Sequence, residues 1–261
     1  MSDPLFIHEK IVVEGTYGDK EVQISRCLPV HATGVDIVVL HGVHSSANLT
    51  PRNKFRFLAE LLTEKGFMVW LVETSRGTRE HLEGESVENW AVRAFNGKTF
   101  AQEQEDVLRA LKEILRRNGG KAVWLWGFSL GGIIAVSAAG LISLPGGAPA
   151  VDKLIISGTG LRVSLETERD TLKMPILSTL METLTPDIFK RVGANSVMSF
   201  RGEFDEIFSL RSALDFIDSI GLPADKKTFF TIKGADHSFR HKKGRPDTAI
   251  IEEMVSHISG E

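Results

Sequence analysis

Cysteine is nearly absent: Cys27 is the only one in 261 residues, so no intrachain disulfide can form and the core must hold the fold. An excess of one charge is missing as well. Lys and Arg number 31 against 34 Asp and Glu, a formal net charge of -3, which leaves no electrostatic footprint for nucleic acid or a polyanionic surface. No apolar run reaches membrane-spanning length. The opening MSDPLFIHEK has neither the basic region nor the apolar stretch of a secretory leader. These absences predict a soluble, cytoplasmic protein. No internal repeat, low-complexity tract or linker divides the chain, so a single domain over residues 1–261 is expected. With 42% hydrophobic residues, it can bury a sizeable core.

What the chain does have is a rhythm. FIHEKIVVEG and KEVQISRCLPV flank TYGD, a hairpin signal. The runs at 35–40, 67–72, 122–127, 151–158, 196–202 and 227–234 read as strands, several of them apolar throughout, as in a parallel sheet buried on both faces. Helical patterns fall between them. One opens at Pro51, carries Phe55, Leu58, Ala59 and Leu62 on one face, and stops at Gly66. Others cover 99–117, an Ala-rich stretch through about Leu141, and regions near 206–219 and 246–258. This alternation predicts an α/β fold with a mainly parallel sheet and helices on both faces. Residues 159–194 break the rhythm, being too long for a simple crossover. Their apolar residues, Leu172 to Phe189, are interrupted by Pro175 and Pro186, which predicts one or two short helices forming a small cap above the strand ends.

The chemistry concentrates at VWLWGFSLGGII, residues 123–134. In a parallel sheet, ligands sit beyond the carboxyl ends of the strands, and Ser129 stands at such an end. A sharp strand-to-helix turn forces a strained serine to project its hydroxyl, and glycines at 127 and 131 avoid collision. Such a turn also presents the Leu130 N–H at a helix N-terminus, where negative charge is favoured. Ser129 needs a base and a carboxylate to orient that base. His237, in KGADHSF after the last strand, is the expected base. RGEFDEIF offers Glu203, Asp205 and Glu206, of which Asp205 sits deepest in the turn, with Asp236 as a second choice. The loop after strand 35–40 begins His41-Gly42-Val43; Gly42 allows close approach, and the Val43 N–H is the expected second oxyanion donor. His41 and His44 lack a companion at metal-ligand spacing and read as packing residues beneath the loop. SGTGLRV faintly echoes a dinucleotide fingerprint, but Val163 stands where its third glycine is needed.

LHGVHSS, GFSLGG, GEFDEI and GADHSF, in that order across the chain, resemble the four signature segments of the α/β-hydrolase superfamily. The chain is similar in length to its carboxylesterase, monoacylglycerol lipase and feruloyl esterase-like branch. The resemblance implies a catalytic triad of Ser129, His237 and Asp205, oxyanion donors at Val43 and Leu130, no cofactor and no metal. It implies a carboxylesterase acting on a small-molecule ester with a small, medium or aromatic acyl group. A thioesterase, amidase or peptidase with the same triad and a non-enzymatic ligand-binding protein of this fold are the alternatives. Leu161, Met174 and Leu177 of the insert, with His41 and Gly42, are the expected substrate contacts. One departure stands out: ETSRGTRE carries Glu73 and Arg79 where many relatives have Asp and Gly, and this loop is expected to shape the pocket rim.

Overall fold

The computed structural model describes residues 7–51, 53–163, 174–241 and 247–260. Among them one sheet of eight strands forms, comprising β1 (Ile7–Glu14), β2 (Glu21–Leu28), β3 (Val35–Leu40), β4 (Met68–Glu73), β5 (Ala122–Phe128), β6 (Lys153–Ser157), β7 (Ser196–Phe204) and β8 (Lys227–Asp236). The spatial order is β1-β2-β4-β3-β5-β6-β7-β8. β2 runs antiparallel to both its neighbours, and every pair from β4 to β8 is parallel. The predicted fold class is the observed one. β4 is buried along its whole length, which explains its unbroken apolar sequence.

Among the described residues the α-helices are α1 (Lys54–Glu64), α2 (Val87–Phe95), α3 (Phe100–Arg117), α4 (Leu130–Leu141), α5 (Pro175–Ser178), α6 (Leu180–Thr183), α7 (Pro186–Lys190), α8 (Leu210–Ser219) and α9 (Asp247–Ser259). Alternation along β3 divides the core. Ile37 and Val39 face a layer with α1 and α9, while Val38 and Leu40 face α2, α3, α4 and α8. No helix of the described residues is long and apolar enough to cross a membrane.

Local chemistry sets the helix starts. α1 begins three residues after Pro51, because the Asn53 side chain accepts from the Phe55 N–H at 2.9 Å. Thr99 and Gln102 form a capping box at α3. No element is expected between Ser86 and Thr99, yet α2 forms there, capped by Ser86 and burying Trp90, Ala91, Ala94 and Phe95.

The insert departs most from expectation. Residues 164–173, and Leu172 with them, lie outside the described residues. In the rest, Pro175 and Pro186 open α5 and α7 rather than interrupting helices, since a helix's first position needs no N–H. These short helices lie along α3 and α4, not above the strand ends. The Phe100 N–H donates to Thr179 Oγ1 at 2.9 Å, and the Gly193 N–H donates to the Ala139 carbonyl at 3.2 Å. Ile176, Leu184 and Phe189 complete the core on that side.

Candidate active site

Ser129 joins β5 to α4 with φ 53° and ψ −119°, a region that an L-residue occupies at a cost of about 1–3 kcal/mol. Three contacts fix it there. Its N–H donates to the Ser157 carbonyl at 2.8 Å, and its own carbonyl accepts from the Gly132 N–H at 2.9 Å and from Thr159 Oγ1 at 3.0 Å. The glycines are required by close approach. A Cβ on Gly127 would strike the Gly131 carbonyl, and one on Gly131 would lie 2.6 Å from the His41 carbonyl oxygen of the β3 end. A Cβ on Gly132 would strike Thr159 Oγ1 and lie 2.9 Å from Ile156, so this glycine serves the packing of α4 on β6.

Strand pairing brings the other two groups in. Phe204 and Asp236 are partners across β7 and β8, after a register shift between Gly202 and Phe204. The next residue on each strand is therefore Asp205 and His237. His237 Nε2 lies 3.0 Å from Ser129 Oγ, and His237 Nδ1 lies 3.1 Å from Asp205 Oδ2 and 3.2 Å from Oδ1. Asp205 Oδ1 also accepts from the N–H groups of Ile207 at 2.9 Å and Phe208 at 3.0 Å, which lock the carboxylate in place. Asp236 points elsewhere: its Oδ1 accepts from the Arg240 N–H at 2.8 Å. Glu203 accepts from the Gly234 N–H at 2.8 Å.

The loop after β3 approaches the serine closely, and a Cβ on Gly42 would sit 3.0 Å from Ser129 Cβ. Val43 lines the cavity beside Ser129, and Leu130 opens α4, where first-turn N–H groups have no intrahelical acceptor. His41 does not contact the cavity. It is buried, with Nε2 3.0 Å from Arg76 Nη2 and Nδ1 2.9 Å from the Gly42 carbonyl. Burial, reinforced by the Arg76 charge, lowers its pKa to about 3, so the ring is neutral. Since Arg76 can only donate, Nε2 accepts and Nδ1–H donates to Gly42.

Arg76 escaped sequence reasoning. It is fully buried and spans the gap between the β4 end and the loop after β3, donating to Ser46 Oγ at 2.8 Å and pairing with Glu73 at 3.2 Å. Its guanidinium lies over the rings of Trp90 and Phe95. Burial works against the charge of Glu73, but the guanidiniums of Arg76 and Arg79 hold its carboxyl below the usual range. Glu73 is thus a buried counter-ion rather than a rim residue. Behind it, Lys98 is buried with Glu103 and with Asp106 at 2.8 Å. The available signal was a carboxylate pair three apart on the inner face of α3, just after a lysine.

A cavity of about 930 Å³ opens at Ser129 and His237. Its walls come from the loop after β3, α1, the His81–Trp90 segment, the loop after β8 and α9, and include His44, Lys54, Phe57, Trp90 and Arg240. His44 lines this cavity instead of packing beneath the loop. Of the expected substrate contacts, Gly42 lines it and Leu161, Met174 and Leu177 do not. Met174 is buried in the core and Leu177 packs against that core, while Leu161 is about half exposed, at 48%. The reason is that α5 to α7 cover the α3–α4 layer, away from the mouth.

No protein-family model and no curated protein matches the chain. Solved structures do. The chain is similar to an α/β serine hydrolase without lid from Xanthomonas campestris, with 15% identity, TM-score 0.58, and 98% and 95% of the two chains covered. It is also similar to an esterase domain from Rhodothermus marinus, with 18% identity, TM-score 0.59 and coverage of 97% and 98%. A cold-adapted esterase from an Arctic intertidal metagenomic library has 16% identity, TM-score 0.63 and coverage of 97% and 93%. Sheet order, the strained serine and this end-to-end likeness lead to one conclusion: the chain has the α/β-hydrolase fold.

Proposed function

We propose that the protein is a serine hydrolase that cleaves carboxylic esters through an acyl-enzyme intermediate, with the whole chain acting as one catalytic domain. The observation that carries this reading is Ser129 Oγ held 3.0 Å from His237 Nε2 on a strained turn. Ser129 attacks the ester carbonyl and His237 Nε2 takes the hydroxyl proton. Asp205 accepts from His237 Nδ1–H, keeps the tautomer and stabilises the imidazolium that forms. The tetrahedral oxyanion rests on the Val43 and Leu130 N–H groups, each such donor being worth about 3 kcal/mol of barrier. His237 returns the proton to the departing alcohol. Water then enters, gives its proton to His237 and releases the acid.

The esterase neighbours support the same chemistry by analogy of fold. A panel of p-nitrophenyl esters, acyl thioesters and aminoacyl amides tests the assignment. Esters are expected to give the highest kcat/KM, and Ser129→Ala to abolish it with the fold intact. Thioesters exceeding esters tenfold would contradict the ester assignment and leave the triad standing.

A further inference from the structure

We infer that Arg201 is a positioning residue for the reaction, its guanidinium folding the turn that presents Asp205 to His237. The inference rests on the serine-hydrolase reading of Ser129 and adds to it a residue that touches no reacting atom.

Arg201 is half-buried on β7, shortly before the acid, and stands outside the walls of the cavity at Ser129. Its side chain turns instead to the chain that follows it. Nε donates to the Phe208 carbonyl at 3.1 Å, Nη1 to the Glu203 carbonyl at 3.3 Å and Nη2 to the Asp205 carbonyl at 3.1 Å. One planar group therefore ties the start, the middle and the end of residues 203–208, the segment that carries the acid. A guanidinium suits this task, because its donors lie in a fixed fork and it accepts nothing.

The segment needs such a tie. Regular pairing of β7 with β8 is interrupted between Gly202 and Phe204, just before the acid. A cavity of about 360 Å³ lies against Arg201, Asp205 and Ser209, so side-chain packing on that side of the turn is incomplete. The hold reaches the reaction through Phe208. Its N–H donates to Asp205 Oδ1 at 3.0 Å, and its ring centre lies 5.7 Å from that of His237. Tying the Phe208 carbonyl thus restrains both the carboxylate and the flank of the imidazole. Without the fork the carboxylate keeps its charge and loses its aim, and a misplacement of about 1 Å can cost about 10²-fold in rate.

Steady-state kinetics on p-nitrophenyl acetate, with urea titration as the check on folding, test this in two backgrounds. In the wild-type background Arg201→Ala should lower kcat by about 10²-fold and leave KM within about threefold. Arg201→Lys keeps the charge but cannot span three carbonyls, and should still lose about tenfold in kcat. In the Asp205→Asn background the aim of the acid no longer counts, so either substitution should lower kcat further by less than about threefold. A loss of the same factor in both backgrounds overturns the inference, since Arg201 would then act other than through Asp205. Wild-type kcat in Arg201→Ala overturns it, and so does wild-type kcat in Arg201→Lys, which would make charge alone sufficient. Should Arg201→Ala fail to fold, Arg201→Lys decides the matter by the same comparison of backgrounds. These results leave the esterase reading intact. Absence of Ser129-dependent hydrolysis in the wild type overturns that reading, and this inference with it.

Discussion

Single residues at the turn carry separable duties. Asp205 receives two backbone N–H groups and the His237 ring, so Asp205→Asn should retain the fold and lose the tautomer. A drop in kcat of about 10⁴ is expected, and a circular dichroism spectrum alongside steady-state kinetics checks both halves. Gly131→Ala acts differently, because its Cβ would press on the His41 and Leu40 carbonyls. About 1–3 kcal/mol of stability should go, together with some kcat, as the loop after β3 is pushed off Ser129; urea titration and kinetics report the two effects.

His41 has a pH signature of its own. Its folded pKa of about 3 lies below the ordinary value of 6.5. Between these values the unfolded chain binds a proton that the folded protein refuses. Stability therefore falls as pH drops from 6.5 toward 3, with a slope approaching about 1.4 kcal/mol per pH unit from this one group. Against wild type, His41→Gln should flatten the urea-denaturation profile in that window. Parallel profiles would contradict the buried neutral ring.

Among elements, the contact that matters most for the site is between the β4 end and the loop after β3. Arg76 makes it, by way of His41 and Ser46. Arg76→Met leaves Glu73 buried with Arg79 as its remaining ion-pair partner among the described residues, and breaking such a pair costs about 3–5 kcal/mol. Because the loop it holds carries Val43, kcat should fall more than KM rises. Arg76→Lys keeps the charge but not the planar fork, and should recover stability better than turnover. The insert makes the opposite prediction. α5 to α7 lie on the α3–α4 layer, so Met174→Ala should lower the urea midpoint, by about 2–5 kcal/mol of stability, with KM for a short ester unmoved. A large KM change would return the insert to the substrate pocket.

Considered as a whole, the molecule was legible in sequence wherever its chemistry is local. GFSLGG is a short stretch whose glycines, strand and helix all lie within a dozen residues, so its geometry could be anticipated. The Asp205 and His237 segments were recognisable because each follows a strand directly, and the β7–β8 register does the rest. Two things were illegible for physical reasons. The Arg76, Glu73, Lys98, Glu103 and Asp106 cluster draws on β4, the chain before α3 and α3 itself, and no local period announces charges that will be buried together. The apolar residues of 174–194 show a similar pattern whether they line a pocket or cover a helix layer, and only the tertiary structure places them on α3 and α4.

The central claim is that Ser129 is a nucleophile activated by His237. A fluorophosphonate probe tests it directly, with intact-mass and peptide analysis of the folded protein. One adduct per chain is expected, on the peptide containing Ser129, with no labelling of Ser129→Ala. Folded wild-type protein that stays unlabelled, or an adduct elsewhere that survives Ser129→Ala, would contradict it.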